Sequence, residues 1–337
     1  MKITPEFFVS FETDIKGLVT GNWDRVLTNL MWDRLMKVRN GSTKREILTW
    51  LLETAQIYPE GNGGNKRFDD MVAASTELTH SHSGSGLRLT KDEIEDNQLA
   101  DNPKVRALDY ASKWAKDIGA ASAYEPQKKL FELILAGTTA LAYDGRPFFD
   151  DEHPVNPNGG SETYSNHIAS VPLLVTGGAT EQDNILVGRK NLGKACAAAR
   201  KQRFVNGIPR FLVPTTLVVQ SDMADYAQLL VNAGVIGATS NTSAADARNP
   251  SKKLEVIAAP ELDDETPGTY YLGVEDLLSD ELGAFVWSER EAFNMKTYGP
   301  MDESVLNRMN QFEWPLDGRH AALYGHPYLF YRCKPGA

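Results

Sequence analysis

The stretch from Pro103 to Gly137 constrains the fold more than any other part of this chain. Ala107, Leu108, Ala111, Trp114, Ala115 and Ile118 recur at the spacing of a helix with one apolar face, and Gln127–Ala136 carries the pattern on to a closing Gly137. Pro103 suits a first helical turn with Asp101 or Asn102 as its cap, while Pro126 is expected to interrupt the run. A helix this long cannot bury its apolar face on itself. Other elements must build a layer against it.

Those other elements are short and mixed. Phe7, Val9 and Phe11 alternate with polar residues, so 1–22 reads as an extended arm. Trp23, Leu27, Leu30, Met31 and Leu35 predict a short amphipathic helix, broken at Asn40-Gly41-Ser42. Ile47, Trp50, Leu51 and Ile57 mark a further apolar segment ending at Pro59, before a turn cluster at Glu60–Asn65. Strands over 72–79 and 87–94 then flank a small polar tip, His80-Ser81-His82-Ser83-Gly84-Ser85-Gly86. Such a hairpin has too little apolar material to stand alone and needs a partner surface.

Residues 143–170 are rich in Pro, Gly, Asn and Asp and read as an irregular loop. Thr180 and Asp183 open a helix that runs to about Arg200, with Leu192, Ala195, Cys196 and Ala199 on its buried face. Phe211–Val219 is a strand, and Asp222–Ala233 is a helix stopped by Gly234. A polar loop follows at 238–252, and short strands alternate with turns to the end. Without regular βαβ alternation, the class is α+β.

A length of 337 residues allows one large or two medium domains. The net charge of −10 argues against a duplex-binding face, which would be basic. No apolar run approaches the roughly 18–20 residues of a membrane span, and the N-terminus lacks the pattern of a signal peptide. A cytoplasmic protein with two reduced thiols, Cys196 and Cys333, is expected.

Asp150, Asp151 and His153 are residue types that bind a divalent cation, so a metal-dependent hydrolase is the enzymatic alternative. A catalytic metal would need further ligands. His167 is the only nearby imidazole, and no H-E-x-x-H spacing exists. His80 and His82 would share a strand face but are too few to hold a metal. Neither a phosphate-cradling glycine motif nor a G-x-S-x-G elbow is found, so no cofactor is expected. The aromatic residues from Trp287 to Tyr331 suit a core or an interface equally.

Three stretches together carry a resemblance. Lys91-Asp92-Glu93-Ile94-Glu95-Asp96-Asn97-Gln98-Leu99 precedes the long helix. Tyr143-Asp144-Gly145-Arg146-Pro147-Phe148-Phe149-Asp150-Asp151-Glu152-His153-Pro154-Val155 follows it, and Asp317–Leu329 lies near the end. In this order they resemble segments of phage major capsid proteins of the Mu-like gpT family, and Phe211-Leu212-Val213-Pro214 is similar to a strand common in capsid proteins.

The resemblance implies the HK97-like capsid fold. It would comprise an N-terminal arm (1–45), an E-loop β-hairpin region (46–100), a peripheral domain with a long spine helix (101–178 and 283–337) and an axial domain (179–282). It implies a shell protein without turnover that forms hexamers and pentamers of an icosahedral head around double-stranded DNA. Portal, scaffold and decoration proteins would be its partners. Assembly candidates are His80, His82, Gly84, Gly86, Asp92, Glu93, Glu95, Asp96, Arg146, Phe148 and Phe149.

Overall fold

A computed structural model describes residues 5–55, 57, 72–175, 181–232, 254–278, 282–298 and 310–336. Its helices are α1 (Pro5–Leu27), α2 (Lys91–Asp96), α3 (Ala107–Ala136), α4 (Glu181–Arg200) and α5 (Ala224–Asn232). The first strands are β1 (Met36–Asn40), β2 (Arg45–Leu51), β3 (Ala73–Thr79), β4 (Ser81–Thr90), β5 (His153–Pro154), β6 (Thr163–Tyr164) and β7 (His167–Ile168). The later ones are β8 (Leu212–Val219), β9 (Glu255–Ala258), β10 (Tyr270–Asp276), β11 (Phe285–Met295), β12 (Gln311–Tyr324) and β13 (Phe330–Cys333).

Two main sheets organise the chain. One has the order β1-β11-β12-β4, antiparallel except for the β1–β11 pair. The other has the order β7-β13-β10-β8-β9, with β10 antiparallel to both neighbours and both outer strands parallel to theirs. α4 and α5 pack on the second sheet, and Leu192, Ala195, Cys196, Ala199, Ala227 and Leu230 enter its core. α1 and α3 pack along each other and against the first sheet. Phe11, Ile15, Val19, Ala111 and Ala115 meet Leu87, Leu89, Phe312 and Trp314 there.

α3 links the two cores. Its first half presents the small residues Ala107, Ala111, Ala115 and Gly119, all buried, at a spacing of four, so α1 can lie close. A Cβ at Gly119 would collide with the Val19 carbonyl. The second half buries Leu130, Phe131 and Ile134 in the core of the five-stranded sheet.

The helix continues through Pro126 without interruption and starts at Ala107, later than Pro103 would have it. Gly137 closes it with φ −63°, so left-handed freedom is not its role. It leaves room for the Phe149 ring, which a Cβ there would approach to 2.6 Å.

Several expectations need correction. Residues 5–27 are helical, not an extended arm. Phe7, Phe11, Ile15 and Val19 step by four, and Val9, which suggested a period of two, is 62% exposed. The helix expected from Trp23 to Leu35 is the end of α1, followed by a turn and a 3-10 turn at Trp32–Arg34.

The hairpin is also rearranged. β3 pairs with the upstream β2, from Arg45 opposite Thr79 to Leu51 opposite Ala73. β4 pairs with β12, from His320 opposite Ser81 to Gln311 opposite Thr90. The supposed flexible tip is therefore regular strand, and the second strand ends at Thr90. There a capping box between Thr90 and Glu93 starts α2.

The C-terminal strands divide between the sheets: β11 and β12 join the first, β13 the second. Thr180, Gly234, the turn cluster at Glu60–Asn65 and the polar loop at 238–252 lie outside the described residues.

Candidate functional site

The loop after α3 is an anchor. Phe148 and Phe149 are buried with their rings 5.0 Å apart. Phe148 stacks on Tyr324 at 4.6 Å, and Phe149 meets Tyr271 at 5.6 Å. Asn166, fully buried, places its amide nitrogen 2.7, 3.0 and 3.2 Å from the carbonyl oxygens of Phe148, Pro327 and Phe330. Its amide oxygen accepts the Asp150 N–H at 3.0 Å.

His153 is equally buried. Its Nδ1 lies 2.6 Å from Asp144 Oδ2, its Nε2 lies 3.2 Å from the Phe148 carbonyl, and its ring stacks on Tyr164. Asp150 accepts the Glu152 N–H, and Asp151 accepts the Ser165 hydroxyl. The carboxylates and the imidazole are thus spent on the loop itself. Among the described residues no three His, Cys, Asp or Glu side chains converge as a metal would need. Arg146 lies half-exposed, 3.6 Å from Glu152 in an ion pair.

β2 and β3 form a two-stranded ribbon seated beside this loop. Leu48, Trp50 and Leu52 point inward to Leu282, Val286, Tyr143 and Leu323. Trp50 meets the rings of Tyr143 and His326 edge-on at 4.8 and 5.2 Å. Beneath them the Arg210 guanidinium lies between the Phe204 and Tyr328 rings, at 4.1 and 3.9 Å, and 3.6 Å from the buried Asp276 carboxylate. Burial, aided by the Arg210 charge, pushes His326 down to about 3. Asn206 donates to the Thr54 carbonyl and Asn158 to the Ala73 carbonyl, holding the far end of the ribbon.

The ribbon's other face is open. Ile47 is 73% exposed, Leu51 is exposed, and Ile57 just beyond is fully so. A strand apolar on both faces is one that expects a cover on both.

The residues singled out from sequence scatter. His80 is buried and bonded at both ring nitrogens, to the Thr43 carbonyl (2.8 Å) and the Ser288 hydroxyl (2.9 Å). His82 is exposed beside Arg319. Gly84 and Gly86 lie against β12; a Cβ at Gly84 would come within 2.5 Å of the Leu316 carbonyl oxygen.

Asp92, Glu93, Glu95 and Asp96 all belong to α2. Burial draws the Glu93 carboxyl up, but the amides of Ala100 and Thr90 outweigh it and hold it below its usual range. Glu95 faces Lys91 at 3.9 Å. The loop residues therefore come together, while His80, His82, Gly84 and Gly86 form no tip.

The open ribbon face was missed. Its signal was available in Ile47, Leu48, Trp50, Leu51 and Leu52, which put apolar groups on both sides of one strand.

Residues 21–173 match the family model described as the Mu-like prophage major head subunit gpT. The chain is 27% identical over 127 residues to the major capsid protein of Escherichia phage Mu, a match covering 38% of each chain. The matched part is thus well under half of that relative. The capsid structure of cyanophage P-SCSP1u superposes with a TM-score of 0.52 at 11% identity, covering 91% of this chain and 88% of that one. The procapsid of bacteriophage JBD30 gives 0.48 at 15% identity, covering 98% and 75%. The fold is α+β and is the HK97-like fold of phage capsids, as the resemblance implied. No helix among the described residues is long and apolar enough to cross a membrane.

Proposed function

We propose, from the premise that residues 21–173 carry the Mu-like major head subunit family's pattern, that this chain is the major capsid protein of a phage head. The observation that carries the reading furthest is the ribbon. Its inner face is fixed to its own subunit, while Ile47 and Leu51 are left to solvent. A neighbouring copy laid over that face would bury the apolar side chains and would shield the open strand edges, which otherwise invite uncontrolled pairing. Contacts of this head-to-tail kind close into rings and then shells, and many weak copies add to a stable container.

In this reading the ribbon is the E-loop and α3 the spine of the peripheral domain. The five-stranded sheet with α4 and α5 forms the axial domain, and β13 completes it from the C-terminal segment. Hexamers and pentamers would enclose double-stranded DNA without sequence-specific contacts, which suits a net charge of −10. Portal, scaffold and decoration proteins would be partners in the virion. No turnover is expected.

Negative-stain electron microscopy of the purified chain tests the reading, with shells, tubes or rings of five or six as the expected result. The hydrolase alternative predicts instead a discrete small oligomer holding stoichiometric zinc or manganese, which metal analysis would detect.

A further inference from the structure

The ribbon leaves the body through two roots. One is 41–44, between β1 and β2; the other is His80, between β3 and β4. β1 and β4 are the opposite edges of the four-stranded sheet, so the roots start from far sides of the molecule's first layer and converge. His80 is where they are tied. Its backbone N–H donates to the Lys44 carbonyl at 2.9 Å. Its Nδ1 faces the Thr43 carbonyl, which only accepts, so Nδ1 donates, and its Nε2 pairs with the Ser288 hydroxyl on β11 at 2.9 Å.

The first root is itself a fixed turn. Gly41 donates to the Glu289 carbonyl, and the Glu46 carboxylate accepts the Ser42 and Thr43 amides. Those two amides, Thr43 first, hold the Glu46 carboxyl below its usual range. A side chain at Gly41 would strike the His80 imidazole. The ring thus fills a slot shaped by both roots and one central strand.

We propose that His80 is the positioning residue of the ribbon, setting the angle at which the ribbon leaves the body and hence where it lies on a neighbour. The second part rests on the assembly reading; the first does not. His80 is buried within its own chain and acts through the strands it joins.

Hydrogen exchange on the unassembled full chain tests the first part. In His80→Ala, amides of β2 and β3 are expected to exchange about tenfold faster, the factor one to two lost hydrogen bonds are worth, with those of β8 and β10 unchanged. His80→Asn keeps an amide at the Nδ1 position and should recover part of the protection. If His80→Ala does not fold, Ser288→Ala and Gly41→Ala, which disturb one partner or the slot, carry the same comparison. Unchanged ribbon exchange, or a uniform rise across the molecule, overturns the proposal.

Shells of Ser288→Ala should spread in diameter relative to the parent chain. A parent chain that forms no shell refutes the assembly reading and leaves the exchange result standing. Parent and variant shells of one diameter refute the geometric role alone.

Discussion

Asn166 ties the 148–150 loop to the remote 327–330 segment, and its amide serves four backbone groups. Asn166→Ala removes all four contacts and leaves the part-buried Asp150 N–H without its acceptor, although the Phe148 and Pro327 carbonyls keep His153 Nε2 and the Phe330 N–H; it should cost about 2–3 kcal/mol, measured by urea unfolding of the unassembled chain. His326 makes a second prediction. Burial lowers its folded pKa from 6.5 to about 3, so the unfolded state takes the proton first. Stability is full above pH 6.5 and falls as pH drops from there toward 3, by up to about 1.4 kcal/mol per pH unit. His320, lowered to about 4 chiefly by burial, adds a similar loss between 6.5 and 4. His326→Phe keeps a ring against Trp50 and Tyr328, and should flatten the acid slope of the unfolding free energy between pH 4 and 6. Phe148 and Phe149 were singled out in sequence as assembly candidates, and their place as buried anchors comes from the packing. The role of His80 was not legible, because its partners Thr43 and Ser288 are remote in sequence.

At the scale of elements, α3 and α4 follow directly from periodicity, since each packs one continuous face, and β8 follows as a short apolar run buried on both faces. The ribbon did not follow. Its pairing depends on which strand β4 prefers, and β12 offers β4 the long register from Ser81 to Thr90. α1 was hidden because the helical and alternating patterns coincide over Phe7 and Phe11 and separate only at Ile15 and Val19. The contact at Gly119 decides a substitution whose sign is otherwise ambiguous. Alanine would gain about 1 kcal/mol of helix propensity over glycine. Here its Cβ meets the Val19 backbone carbonyl, which cannot rotate aside. Gly119→Ala should therefore destabilise the chain by about 1–2 kcal/mol, by the same unfolding measurement. Ile15→Ala, at a site 1% exposed, should cost about 2–4 kcal/mol in the same core.

Among the described residues, two sheets pack together through Phe285 and Phe330 and share the long helix α3, with a ribbon fixed along one side and open on the other. Nothing in composition distinguishes it from a cytoplasmic enzyme of the same charge. The family resemblance came from short segments, and the packing explains why those segments are informative. The 143–155 loop lines the wall against which the ribbon rests, through Tyr143. The acidic run at 91–96 starts a capped helix at the end of β4. The most direct measurement is sedimentation velocity of the parent chain beside an Ile47→Asp/Leu51→Asp variant, with circular dichroism to confirm that both are folded. The proposed function predicts rings or shells for the parent and folded monomers for the variant. A folded parent that stays monomeric at every concentration, or a variant that assembles as the parent does, would contradict it.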